Sequence, residues 1–327
     1  MSDEQQGSQA SAANATPGRG GEQWEREILT RLAYAGLEEQ RKARRWGIFF
    51  KSLGFVYLFA LIVLFTLDFG QTSRVGRHTA LVDVSGVIAD GADASADTVV
   101  SGLRAAFEDK NTAGVILRIN SPGGSPVQAG YINAEIRRLR DLHPDIPVYA
   151  VVADVCASGG YYVAVAADKI YADKASIVGS IGVRMDSFGF VRAIDKLGVD
   201  RRLLTAGDHK GMLDPFLPVD PVEQAHIKQM LDGIHAQFID VVKQGRGERL
   251  ADDDRIFSGL IWTGEEAIAL GLVDELGSAG YVAREVIGEE NVVDYTPRKS
   301  VLERFASSMA ASMGHVISET LLQPRLQ

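Results

Sequence analysis

Cysteine is almost missing from this chain: its 327 residues contain one, Cys156. A single thiol excludes an intramolecular disulfide framework and any metal site built from several cysteines. Positive charge is also scarce, with 34 lysines and arginines against 43 aspartates and glutamates and a formal charge of −9. That balance offers no basic surface to a phosphate backbone, so no nucleic-acid partner is expected. Long apolar runs are missing apart from one near the N-terminus, and no histidine falls between Ser158 and His209. Neither a cofactor nor a metal ion is implied.

What is present suits one substantial α/β domain with appendages, given 46% hydrophobic and 24% charged residues. Met1 to Gly21 is rich in Ser, Ala, Gly and Gln. It has almost nothing to bury and is expected to be disordered. Trp24, Ile28, Leu29, Leu32 and Ala35 then recur at helical spacing among charges, which predicts an amphipathic helix as far as Arg45.

Trp46 to Leu67 is the exception to the lack of apolar runs, with Lys51 its only charge. A helix of that length rises roughly 33 Å and can span a bilayer core. No small-x-small cleavage site follows closely, so the run is expected to be a retained anchor rather than a signal peptide. Arg41, Lys42, Arg44 and Arg45 precede it, against Arg74 and Arg77 after it. This excess predicts a cytoplasmic N-terminus and an extracytoplasmic, periplasmic domain on an inner-membrane, single-pass protein. The expected layout is residues 1–45 cytoplasmic, 46–69 membrane helix, 70–296 enzyme domain and 297–327 tail.

Beyond the anchor, β-branched runs alternate with helical patterns. Strands are expected over 80–88, 114–119, 147–153, 169–172 and 201–205, and helices over 94–109, 125–142, 157–166, 190–197 and 222–244. Thr263-Gly264-Glu265-Glu266 reads as a capping box opening a short helix that ends at Gly271. This rhythm predicts a largely parallel sheet covered by helices. An amphipathic stretch over 301–322 follows, as either a docking helix or a loose terminus.

Two turns carry small residues at the ends of predicted strands, where parallel α/β folds bind ligands. In Ser121-Pro122-Gly123-Gly124-Ser125 the glycines let a substrate carbonyl approach the main chain, and the Gly124 N–H suits an oxyanion donor. In Cys156-Ala157-Ser158-Gly159-Gly160 a Ser158 hydroxyl meets substrate unobstructed, and Gly159 offers a second N–H. Each turn alone is equally readable as packing, and their pairing is what points to chemistry. A serine nucleophile needs a base. His209 stays open for that role, as do Lys169, Lys174, Lys196 and Lys210, since a lysine serves once an apolar cleft desolvates it.

The segments Ser121-Pro122-Gly123-Gly124, Ala153 to Tyr162, Val178 to Val183, Trp262 to Ala267 and Gly271 to Gly277, in this order, resemble the SppA-type signal peptide peptidases. The resemblance runs from about Ala80 to Tyr295 and implies a Clp-protease/crotonase-like α/β fold. It implies Ser158 as nucleophile, Lys210 as general base, Ser180 as the hydroxyl that holds the lysine amine, and the Gly124 and Gly159 amides as oxyanion hole. The lysine loop of the family, Gly-x-x-Lys followed by Pro-Phe, is matched by Gly207 to Lys210 and Pro215-Phe216. The resemblance also implies a homo-oligomer, an octameric dome, in which one subunit's serine meets the next subunit's lysine. Expected substrates are cleaved signal peptides or other membrane and envelope peptides. A crotonase-like acyl-CoA enzyme and a non-catalytic membrane scaffold are the alternatives.

Overall fold

The computed structural model describes residues 20–66 and 76–297. The chain divides into two units, 1–69 with 300–327, and 70–299. The described part of the first is one helix, α1 (Gly20–Thr66), of 47 residues. It carries both the amphipathic stretch and the apolar run without a break, because no proline or other strong breaker separates them. Within it Glu38–Val63 is long and apolar enough to cross a membrane, and Phe50, Phe55 and Phe59 stand exposed along it. The stretches 1–19 and 298–327, with most of the expected N-terminal disorder and the whole 301–322 helix, lie outside the described residues.

The second unit opens with β1 (His78–Ser85), α2 (Ala96–Glu108), β2 (Thr112–Ser121), α3 (Pro126–Leu142), β3 (Val148–Ala157) and α4 (Gly159–Ala164). It continues through β4 (Lys169–Ala172), β5 (Ile177–Gly179), α5 (Val191–Lys196), α6 (Pro221–Arg246), β6 (Ile261–Thr263) and α7 (Gly264–Ala269). β7 (Glu275–Leu276), α8 (Ala279–Tyr281) with a π-helical turn over Val282–Ile287, and β8 (Val292–Asp294) complete it. The strand order is β6-β5-β3-β2-β1-β8, with β4 on β3 and β7 on β4. Every pairing is parallel except β5 with β6.

Parallel strands covered on both faces are apolar almost throughout, and β2 shows it, with Ala113 to Leu117 buried in succession. One face packs against α2, α3 and α4 through Val82, Val99, Leu103, Leu117, Ile132 and Tyr161. The other packs Leu81, Ile116, Val151 and Tyr171 against Val282 and Ala283 of the π-helical turn. The mixed α/β architecture is therefore the one the sequence rhythm predicts.

Ion pairs pin the helices to this frame. Glu135 of α3 takes Arg104 of α2 at 2.7 Å and Arg138 at 2.6 Å, and these two guanidinium partners hold its carboxyl down at about 2. Arg246, at the end of α6 and 1% exposed in its side chain, donates to both oxygens of Asp274 at 2.8 and 3.0 Å and to the Gly271 carbonyl. Burial pushes the Asp274 carboxyl up, but the bonds from Arg246 and the Ile170 N–H and the charges of Arg246 and Arg249 outweigh it and hold the group below its ordinary value.

α6 buries only Phe238, Val242 and Arg246, all in its C-terminal half. Its N-terminal half buries no residue, and neither does 183–220. The expected strand over 201–205 is not there: the segment joins no ladder among the described residues, and strand propensity without a pairing partner does not make a strand. In contrast, the capping box forms as read, with the Glu266 N–H donating to Thr263 Oγ1 and the Thr263 N–H donating to Glu266 Oε2.

Candidate active site

Parallel pairing brings three chain reversals to the carboxyl ends of adjacent strands. Ser121 pairs with Cys156, and Ala157 pairs with Gly179, so the exits of β2, β3 and β5 are neighbours. The chain leaves β3 through Ser158 at φ 52°, ψ −120°. A non-glycine residue adopts that region only when its surroundings enforce it, and a serine on a strained strand-to-helix turn presents its hydroxyl outward. Both backbone groups of Ser158 are tied: its N–H donates to the Gly179 carbonyl at 2.8 Å, and its carbonyl accepts the Tyr162 N–H at 2.9 Å. Its side chain makes no capping bond to α4.

The glycines of the first turn explain the close approach. Gly123 sits at φ 98°, and a Cβ there would lie 2.6 Å from Gly159 N and 2.7 Å from Ser158 Cβ. Gly124, at φ 149°, forms a parallel bridge with Ile88 through its neighbours: the Ile88 N–H donates to the Gly123 carbonyl, and the Ser125 N–H donates to the Ile88 carbonyl. In a parallel bridge of this kind the bracketed residue turns its own N–H the other way. Gly159 is the first residue of α4, so its N–H has no partner within the helix. A Cβ on Gly159 would come within 3.2 Å of Gly124 N. Two amides outside the regular ladders thus lie side by side next to Ser158, which is what an oxyanion hole requires.

Ser180 follows β5, one residue beyond the Gly179 that holds Ser158. It sits at φ 54°, its N–H fixed by the Leu260 carbonyl at 2.7 Å. Cys156 is fully buried, and burial pushes its thiol well above its ordinary range, which disfavours the thiolate a nucleophile needs.

The base candidates are placed differently. Lys169 starts β4, far from the strand ends, and its bond to Glu275 at 2.8 Å raises its pKa and favours the ammonium. Lys174, Lys196 and Lys210 are exposed, Lys210 in the turns over 206–214. His209 is exposed and bonded to Glu223 at 3.1 Å. Within the single chain no hydrogen bond joins any of them to Ser158 or Ser180 among the described residues. A cavity of about 500 Å³ borders the lysine loop, lined by Phe188, Leu203, Leu217, Asp208, Gly211 and Glu223.

Several supports of the site escaped the sequence reading: the β5–β6 pair, the Ile88–Gly124 bridge and the Trp262 ring that packs 2.9 Å from the Cβ position of Gly179. A three-residue strand is too short to show a period. Only the apolar triplet Leu260-Ile261-Trp262 before the capping box could have hinted at β6.

The profile of "Peptidase family S49" matches residues 140–292. A protein of Enterococcus faecium named after signal peptide peptidase SppA is 30% identical over 264 residues, covering 78% of this chain and 74% of its own length. The chain belongs to peptidase family S49. A second relative in sequence is the Brucella abortus protein named Na(+)/H(+) antiporter NhaA, 44% identical over 215 residues, which cover 65% of this chain. The chain spans 29% of the length of that relative. Among solved structures, a mutant of the membrane-bound stomatin-specific protease 1510-N matches 68% of this S49 chain and 99% of its own, with 14% identity and a TM-score of 0.38, too distant a likeness to inform the fold.

Proposed function

We propose that this S49 chain is a membrane-anchored serine endopeptidase with a serine–lysine dyad. The observation that carries the reading is Ser158, held at φ 52° beside the Gly123–Gly124 turn, with the Gly124 and Gly159 amides adjacent. Ser158 Oγ attacks the peptide carbonyl, the two amides take the developing oxyanion, and a base removes the hydroxyl proton. Collapse of the tetrahedral adduct breaks the C–N bond as the protonated base returns its proton to the leaving amine, and a water activated by the same base then cleaves the acyl ester, regenerating the Ser158 hydroxyl.

Lys210 is the proposed base, with Ser180 orienting its amine. A lysine base has to be desolvated, and Lys210 of one subunit is exposed. A second copy that covers the lysine loop and offers its own Ser158 would supply both needs. Exposed Met185, Phe188, Leu197, Leu204 and Val219 on the segment around that loop support such self-association into a homo-oligomer with shared sites. The apolar part of α1 is the proposed single-pass anchor, with the N-terminus cytoplasmic by the excess of Arg41, Lys42, Arg44 and Arg45. Residues 70–296 form the proposed peptidase domain on the far side. An apolar anchor beside a peptidase favours membrane-derived substrates such as cleaved signal peptides.

The test is hydrolysis of an internally quenched apolar peptide by the full chain in detergent. Ser158→Ala should lose at least 10³-fold in kcat, whereas Cys156→Ser should keep most of it. Activity surviving in Ser158→Ala would refute the assignment.

A further inference from the structure

Ser121 is fully buried at the end of β2, and its Oγ accepts the Gly123 N–H at 3.1 Å. Two features make that bond more than a turn closure. Gly123 is the residue whose α-carbon packs on the Ser158–Gly159 peptide, where a Cβ would lie 2.6 Å from Gly159 N, and it immediately precedes Gly124. Ser121 also backs the second turn directly: a Cβ on Gly160 would meet the Ser121 carbonyl oxygen at 3.0 Å and Ser121 Cβ at 3.3 Å. One residue therefore touches both chain reversals, through a hydrogen bond on one side and van der Waals contact on the other.

We propose that Ser121 is a positioning residue for the oxyanion pair: by holding Gly123, its hydroxyl sets the spacing between the Gly124 and Gly159 amides. The inference rests on the serine peptidase reading above. Ser121 touches neither substrate nor the reacting atoms. Without its hydroxyl the Pro122–Gly123 peptide loses its acceptor, and the Gly123 α-carbon gains freedom to shift against Gly159, widening or skewing the gap between the two amides even though the Ile88 N–H still holds the Gly123 carbonyl. Ground-state binding, which does not draw on the oxyanion pair, is unaffected.

The experiment compares wild type, Ser121→Ala, Ser121→Cys and Ser158→Ala as full chains in detergent, with kcat and KM on the quenched apolar peptide and thermal melting for each. A peptide aldehyde supplies a second readout. Ser158 Oγ adds to its carbonyl carbon, the hydroxyl proton passes to the base, and the former carbonyl oxygen occupies the oxyanion position as a hemiacetal. Ser121→Ala should lower kcat and aldehyde affinity by the same factor, about tenfold, with KM within twofold of wild type. Ser121→Cys, a similar shape with a weaker acceptor, should fall between, and it carries the test if Ser121→Ala does not fold. Unchanged kcat in the folded variants, or kcat and KM moving together, overturns the inference. Hydrolysis surviving in Ser158→Ala overturns the peptidase reading instead, so the two failures are distinguishable.

Discussion

Gly123→Ala adds a single methyl group where the site has no room for one. The residue sits at φ 98°, so an alanine there is strained, by about 1–2 kcal/mol for an L-residue in left-handed space. Its Cβ would stand 2.6 Å from Gly159 N, whereas ordinary contact starts at 3.4 Å, so the gap must open by about 0.8 Å. The atoms that have to yield are backbone: Gly159 N, Ser158 Cβ and the Ala157 carbonyl oxygen, held in turn by the Ser158–Gly179 bond. Catalytic constellations tolerate about 0.5 Å, and a misplacement of about 1 Å costs on the order of 10²-fold in rate. We therefore expect kcat to fall about 10²-fold, with KM little changed and stability lowered by roughly 1–3 kcal/mol. The control is Gly130→Ala in α3, where nothing lies within 4 Å of the added Cβ; it should stabilise by about 0.5–1 kcal/mol and leave kcat alone. The assay is quenched-peptide hydrolysis with urea denaturation on the same preparations. A folded Gly123→Ala protein with kcat within threefold of wild type would refute the packing argument.

Two further outcomes test the frame. Asp274→Ala leaves Arg246 charged and buried without its carboxylate, and should cost roughly 3–5 kcal/mol in urea denaturation, far more than a surface ion pair such as Lys228–Asp232. Glu135, depressed to about 2 by Arg138 and Arg104, contributes stability that is fully present above its ordinary value of 4.5 and is lost as pH falls toward 2. Acid titration of the melting temperature should show a drop across that window which Glu135→Gln flattens, and an unchanged profile in the variant would contradict the pairing.

The legible parts of the fold were those with a long period or a strong local signal. β2 and β3 announced themselves as β-branched runs, α3 as a helix after Ser125-Pro126, and α7 through its capping box. The two turns that bear Gly124 and Ser158 were visible as glycine-rich strand exits, although only the register of β2 on β3 brings them together. Short elements were illegible for a physical reason: β5 and β6 exist because each completes the other's hydrogen bonds, which no three-residue window encodes. The segment Arg201–Thr205 fails the other way, having strand propensity but pairing with no strand among the described residues. Ser121 stands in a glycine-rich turn of the sequence, yet its hold on Gly123 is visible only in the structure, through its burial and its hydroxyl's bond to the Gly123 N–H. The position of Lys210 relative to Ser158 follows from no local pattern, and in the single chain the lysine stands in solvent.

That exposed lysine makes the shared site the point at which the account is most open to refutation. The direct measurement is quenched-peptide hydrolysis by co-expressed, co-purified Ser158→Ala and Lys210→Ala chains, tagged differently so that only oligomers containing both are assayed. If the serine of one subunit works with the lysine of the next, some interfaces pair an intact Ser158 with an intact Lys210, and the mixture should recover a substantial part of wild-type activity although each variant alone has none. Mixed oligomers as inactive as either parent would contradict the shared dyad.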